Sequence, residues 1–587
     1  MTRVWDRFPP HVLRDQVLLA DGRRGALCGP RGDLTWLCAP AWDSPPVFSG
    51  LVGGAGVYAV TPREPYVWGG WYEPHSLVWH HRWVTPEAEV ECLDALGFPG
   101  EADRVVLLRR VMASEVPARV EVVLDVRAEF GRRRMVGLHR GDDGTWTGHS
   151  GGLDFRWSGA AGAVHRAEGL VLHETVQPGR HLDLVLEIGR LGDRPVDPDE
   201  AWPSVRAAWT REAPDLGETV APRDAGHATA VLRGLTEPGG GMVAAASLGL
   251  PERARAGRNY DYRYVWLRDQ AYAGQAAAVA GPLSLLDDAV AFATARLLEH
   301  GPGLAPAYRT DGSPVPDEHE PPGVDLPGYP GGRVVVGNHV NDQFQLDTLG
   351  EVLQLFAAAA RRDRWHAETE RAARIAVEGI ERRWDAPEAG IWELDDRWWT
   401  QSRLACVAGL RSLARHVPAR DAGRLGALAD RVLAATSARC LDPDGTWRRA
   451  PDLPGPDAST VLSPVRGALP AEDPRTRATL RRVRDELTED GYVYRFRPSD
   501  RALGEDEGAF LLCGFALATA YHHQGEAVAA ARWFERTRAA CGPPGLLAEE
   551  FDVSERQLRG NLPQAFVHAM LLETSARLAA DPGGATV

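Results

Sequence analysis

The sequence predicts a two-part chain, an N-terminal antiparallel β-sandwich followed by an (α/α)6 barrel. Three observations predict it. At 587 residues the chain is longer than one ordinary core supports, so at least two domains are expected. Near residue 225 the pattern changes from short β-rich segments with glycine turns to long segments with apolar residues at helical spacing. In that second part, clusters of polar and aromatic residues precede alternate helices only.

Residues 1–215 read as the sandwich, with a linker to about 224. Residues 25–38 have the form strand, glycine turn, strand; 76–84, 118–126 and 181–188 follow as short strands rich in Val, Leu and Trp. Turns such as Gly141-Asp142-Asp143-Gly144 separate them at short intervals, the spacing of a sandwich. Gly53-Gly54-Ala55-Gly56 lacks the following helix of a phosphate loop and reads as a turn. Residues 192–224, with Pro195, Pro198, Pro203, Pro214 and Pro222, read as a linker holding one short helix.

Residues 225–587 read as the barrel. Helices are expected at 226–234, 269–280, 283–300, 341–360, 362–384, 401–417, 421–439, 475–489, 508–523, 526–540 and 561–579. A short twelfth at 463–469 makes the number even. Antiparallel pairs of helices with short connections can close into a toroid whose inner and outer helices alternate. The clusters at 258–269, 301–338, 390–400, 499–507 and 547–561 then precede the second, fourth, sixth, tenth and twelfth helices. Loops entering every second helix lie on one rim. Five distant clusters therefore converge on one mouth.

Composition excludes several chemistries. A net charge of −15 argues against nucleic acid, which needs clustered positive charge. All 66 basic residues are arginine, and without lysine there is no Schiff base and no Walker-A nucleotide site. The seven cysteines are scattered with no CxxC and no closely spaced Cys/His set, so no zinc site is expected. Residues 1–16 carry charges and two prolines without an apolar core, so no signal peptide is expected. No run of 18 apolar residues occurs, so no membrane span is expected and the reading is cytoplasmic. Self-association into a homo-oligomer is left open.

Residues 258–269 hold three tyrosines, one tryptophan, three arginines and two aspartates, and run into an alanine-rich helix. Aromatic faces pack on the C–H faces of a pyranose, while an Arg–Asp pair exchanges hydrogen bonds with its hydroxyls. The same composition also suits a capped helix with core aromatics. Three loops carry carboxylates for acid–base work: Glu393 after Trp392, the set Glu549, Glu550 and Asp552, and Glu505-Asp506-Glu507. Apolar walls beside Glu393 would raise its pKa, as a general acid requires. A general base must stay ionised and hold a water. Spacing alone does not choose among the three.

Residues 258–269 are similar to the Arg-Asn-Trp-Asp-Tyr-Arg-Tyr-x-Trp-x-Arg-Asp signature of glycoside hydrolase family 15, the glucoamylase and bacterial trehalase family, with Tyr260 at the tryptophan position. The resemblance extends through 345–351, 390–393 with Thr400, 504–513 and 547–566, and residues 32–38 resemble the sandwich of the bacterial members. It implies an inverting, exo-acting α-glucoside hydrolase needing no metal or organic cofactor. Glu393 would be the general acid and Glu549 the general base. Arg268 and Asp269 would hold the non-reducing glucose, Tyr262 would stand near the scissile oxygen, Trp266 and Trp392 would line the pocket, and Glu507 would bind substrate. Inversion requires carboxyls roughly 6.5–9.5 Å apart.

The partner implied is a small α-linked glucoside, with no nucleic acid and no membrane. Starch-cleaving relatives carry a second glutamate after the acid, where this chain has Leu394. The proline-rich insertion 301–337 is expected to wall off the mouth. Both features favour a disaccharide, trehalose first. A glucoamylase or an isomaltose- or maltose-type glucosidase is the alternative; a disaccharide phosphorylase and an inactive sugar-binding protein are more distant.

Overall fold

The computed structural model describes residues 7–167, 169–255, 258–498 and 502–580. The start of segment 1–16 and residues 499–501 of the predicted cluster 499–507 lie outside these. The chain begins with three antiparallel sheets and continues into helices. One four-stranded sheet runs Val17–Ala20, Gly25–Cys28, Leu34–Cys38, Pro46–Phe48. A second four-stranded sheet is ordered Val164–Arg166, Gly169–Val176, Ala118–Asp125, Val57–Pro62. An eight-stranded sheet extends from Val136–Arg140 at one edge to Val67–Tyr72 at the other. Strand Trp79–Val84 shows why the layers pack: Trp79, His81 and Trp83 point inward while Arg82 and Val84 are exposed.

The helices are α1 Pro198–Glu212, α2 Pro222–Leu235, α3 Leu267–Ala280, α4 Leu283–His300, α5 Leu346–Arg361, α6 Ala367–Arg383 and α7 Thr400–Ala414. They continue as α8 Ala419–Cys440, α9 Leu462–Val465, α10 Pro474–Glu486, α11 Leu511–His523, α12 Ala527–Arg538 and α13 Ala565–Ala579. Helix α1, expected to be short, is 15 residues long. Its prolines read as breakers, yet Pro198 occupies the first turn, where no N–H is needed, and Asp197 caps the backbone there. Trp209 of α1 stacks on Phe98 of the sandwich, with centroids 4.0 Å apart.

Helices α3, α5, α7, α9, α11 and α13 touch in sequence, and α13 touches α3, so an inner ring closes. Their residues are buried almost all round, as suits the apolar, small-residue sequences of α3 and α11. The outer helices α6, α8, α10 and α12 bury one face only, and α6 carries the pairs Glu370–Arg374 and Glu378–Arg382 on the other. The short helix expected near 463–469 is α9, and it keeps the alternation in register. Helices α5, α11 and α13 start later than their periodicity predicts, because the residues before them are extended or turned and tie rim loops together. Thus Ala509–Phe510 pairs with Glu550–Asp552, which pairs in turn with Gln557–Arg559.

The insertion 301–337 was expected to wall off the mouth, but none of its residues lines the site cavity. It is tied to both halves of the molecule. On the sandwich, the N–H of Gly328 donates to the Val52 carbonyl at 3.1 Å and Arg132 donates to that of Pro322 at 2.7 Å. On the barrel side, Ala307–Tyr308 pairs with Val265–Trp266 and the Gly337 N–H donates to Asp261 at 3.2 Å. Proline removes donors, but its carbonyls still accept, and the sandwich supplies partners for them. No described helix is long and apolar enough to cross a membrane.

Candidate active site

The rim above the inner ring holds a cavity of about 640 Å³, its open mouth included. Tyr262, Trp266, Arg268, Asp269, Trp392, Glu393 and Glu549 all line it. Strand Val265–Trp266 pairs with Ala307–Tyr308 and leads straight into α3, which places Arg268 and Asp269 in that helix's first turn. Tyr262 meets Trp266 edge to face at 5.3 Å. Trp392 donates its Nε1–H to both oxygens of Asp457 at 3.0 Å and packs on Phe510 at 5.0 Å, which fixes one wall.

Glu393 sits in left-handed backbone at φ 53°, a conformation non-glycine residues adopt at a cost. The turn is held from below, since the Gly390 N–H donates at 2.8 Å to Glu388, which is buried against Arg403 at 2.6 Å. The sequence led us to expect apolar walls as the influence on Glu393. The structure puts a cation there instead, with Arg268 Nη2 donating to Glu393 at 3.1 Å and the side chain 17% exposed. Arg268 also donates to Gln345 at 2.9 Å and lies 3.9 Å from Asp347.

Burial pushes Asp269 up to about 7 and Asp347 up to about 6, in both cases against the pull of Arg268. It pushes Glu549, 5% exposed, well above the usual range, and the nearby charge of Glu252 adds to the effect.

Glu252, Arg258, His339 and Arg495 also line the cavity. Sequence reasoning gave Glu252, His339 and Arg495 no place, and Arg258 only that of first residue of the 258–269 signature. Glu252 is buried and bridged by Arg258 at 3.2 Å and Arg495 at 3.4 Å. Glu507 is buried too, but against Arg495 and Arg258, and it faces an outer groove that shares Arg258, His339, Glu393 and Leu394 with the cavity. Glu550, the carboxylate beside Glu549, turns away to accept from the Gly508 N–H at 2.7 Å. One buried guanidinium thus sits among Glu252, Glu507 and Glu550. Long-range ion pairs of this kind leave no spacing signal in a sequence. The only hint is that a charge was placed in otherwise apolar company.

Half of the 258–269 signature does different work. Arg263 is buried, pairs with Asp261 at 2.8 Å, and donates to Cys38 Sγ, the Trp42 carbonyl and the Ser44 carbonyl across the sandwich junction. The sandwich also holds a converging set that spacing did not suggest, Cys28, His81 and Asp94. Arg109 lies 2.6 Å from Asp94, supplying the positive charge that a metal ion would otherwise bring.

The sequence profile described as Glycosyl hydrolases family 15 matches residues 227–576. The chain belongs to glycosyl hydrolases family 15. A second profile, Trehalase-like, N-terminal, matches residues 9–211, so the family's barrel here follows the sandwich of that type. A trehalase of Mycobacterium tuberculosis is 30% identical, covering 96% of this chain and 89% of its own length. Trehalase 1 of Sulfolobus acidocaldarius is 28% identical over 92% of this chain and 94% of its own. A bacterial glucoamylase complexed with acarbose superposes with a TM-score of 0.67 at 12% identity, covering 98% of this chain and 96% of that one, which shows a common fold.

Proposed function

We propose that this family 15 glycoside hydrolase is an inverting α,α-trehalase, releasing β-glucose from one end of the disaccharide. The observation that carries the reading is the closed end of the cavity. Arg268 Nε and Asp269 Oδ2 are buried there without a hydrogen-bond partner, 3.5 Å apart. That separation is too long for a good hydrogen bond. A sugar hydroxyl donates and accepts at once, so one bound here satisfies both atoms.

Glu393 protonates the glycosidic oxygen and Glu549 draws a proton from water on the opposite face. Burial raises Glu549, which makes it a stronger base once it is ionised and places its action on the alkaline side of its own titration. Tyr262 and Trp266 pack on the first glucose, and Trp392 closes its flank. Glu507 acts on substrate through Arg258 and Arg495, which it pairs with at the wall. Leu394 cannot accept hydroxyl hydrogen bonds, which removes about 1–3 kcal/mol from binding of a longer maltose-type chain if that contact is buried. Similarity to trehalases over nearly the whole chain supports the disaccharide. Seven cysteines without disulfides support a cytoplasmic setting.

The test is a panel of trehalose, maltose, isomaltose, kojibiose, nigerose and soluble starch compared by kcat/KM, with proton NMR in the first minutes of turnover. Trehalose should lead and β-glucose should appear first. Starch outperforming every disaccharide would overturn the substrate; initial α-glucose would overturn inversion. A requirement for phosphate would instead favour a phosphorylase.

A further inference from the structure

Both main-chain groups of Leu547 are held by the start of α13. Its N–H donates to Nε2 of His568 at 3.1 Å, and its carbonyl accepts from the N–H of Gln564 at 2.9 Å. Glu549 follows two residues later, and its own carbonyl accepts from the Leu511 N–H at 3.0 Å. The loop bearing this carboxylate is therefore pinned to the first turns of two inner helices, α13 and α11.

The pin on α13 is a histidine that is 1% exposed. A ring nitrogen that accepts a hydrogen bond carries no proton, so His568 is neutral with its hydrogen on Nδ1. Its surroundings enforce that state, since burial pushes it down to about 3. The titratable group facing it is His227 of α2, with ring centroids 6.3 Å apart, itself pushed down to about 4 by burial. Asp224 and Arg223 act on His227 from its own helix with opposite signs. On its far side His227 stacks on Tyr72 of the sandwich's edge strand at 4.6 Å. The same ring backs Gly545, where an added Cβ would lie 3.2 Å from it. Two apolar-walled imidazoles thus brace the stretch from Gly545 to Leu547.

We propose that His568 is a positioning residue, whose neutral imidazole clamps the backbone at Leu547 and thereby sets where the Glu549 carboxylate stands over the sugar. The proposal rests on Glu549 being the general base. A main-chain N–H can be satisfied by water or by a flexible polar side chain, and either leaves the loop room to move. A rigid ring on an inner helix does not. An ångström of misplacement at a reacting group costs on the order of 100-fold in rate.

The test is the pair His568→Gln and His568→Asn. Glutamine carries an amide oxygen to where Nε2 stands, whereas asparagine reaches only the position of Nδ1. Polarity is matched while the acceptor is kept in one and lost in the other. The asparagine variant should lose roughly 10- to 100-fold in kcat with KM within about twofold, and the glutamine variant should recover most of that loss. Rates are taken per folded molecule, with the folded fraction read by near-UV circular dichroism. A purely structural role would lower the melting temperature of both variants and leave kcat per folded molecule equal in the two, which would overturn the clamp. Glu549→Gln is run alongside. If that variant stays active, the base assignment falls and the clamp with it. If it is inactive while the two histidine variants behave alike, the clamp alone falls.

Discussion

Glu393 and Glu549 reach the same cavity in different company. The first leans on Arg268 and stays partly exposed; the second is buried beside Glu252. Their roles separate in a variant experiment. Glu393→Gln and Glu549→Gln should each lower kcat on trehalose by several orders of magnitude, with smaller effects on KM. On α-glucosyl fluoride, whose leaving group needs no proton, Glu393→Gln should recover and Glu549→Gln should not; the reverse pattern would exchange acid and base. Glu507→Gln is the comparison, expected to cost far less than either. Glu252 offers a second check. Its charge helps hold Glu549 above the ordinary carboxylate range, so Glu252→Gln should lower the pKa of Glu549. The acid limb of kcat/KM should then move to lower pH in a pH–rate profile. Much of this was legible beforehand: Trp392-Glu393 and the acidic run at 549–552 stand out by composition. The partners were not, because Arg495 meets Glu252 and Glu507 only after distant loops fold together.

Rim loops behave as small sheets and turns tied to each other. The hairpin Glu550–Asp552 with Gln557–Arg559 directly follows Glu549, the proposed base, and Gly560 ends it in left-handed backbone at φ 75°. A Cβ at Gly560 would lie 2.9 Å from the Cβ of Glu549. Gly560→Ala should therefore cost about 1–3 kcal/mol in stability. It should cost proportionally more in kcat, because the atom that must give way belongs to Glu549, the proposed base. Denaturant titration and steady-state kinetics on one preparation separate the two effects. Helix boundaries were the least legible elements. Periodicity carries α5, α11 and α13 back into residues that the structure uses as extended rim strands and turns, since apolar spacing reports burial and not the hydrogen bonds that end a helix.

The sandwich and the barrel meet through the same stretch that builds the site. Trp36 donates to the Ala246 carbonyl at 3.0 Å, and Arg263 reaches three acceptors of the segment 38–44. Arg263→Met should lower stability by about 3–5 kcal/mol, because it leaves Asp261 buried without its cation. Asp261 also accepts from the Gly337 N–H at 3.2 Å, close to His339 of the cavity wall. Activity per folded molecule should therefore fall along with the melting temperature. A lower melting temperature with unchanged kcat would show the junction to be purely structural.

Two features followed from sequence alone. One was the division into β-rich and helical halves. The other was the alternation of polar loops, three of which (258–269, 390–400 and 547–561) line one mouth over the inner ring. Both depend on local periodicity, which records how each element is buried whatever its neighbours are. The tertiary structure alone decided that the insertion 301–337 ties the sandwich to the site stretch, that Glu507 turns under the wall, and that His568 holds the loop of Glu549. Those outcomes depend on how loops and helices pack once the chain closes, which brings Gly328 to Val52 and turns His568 onto Leu547. A buried charge or imidazole is then tolerated only where a specific partner or an enforced neutral state offsets its loss of water.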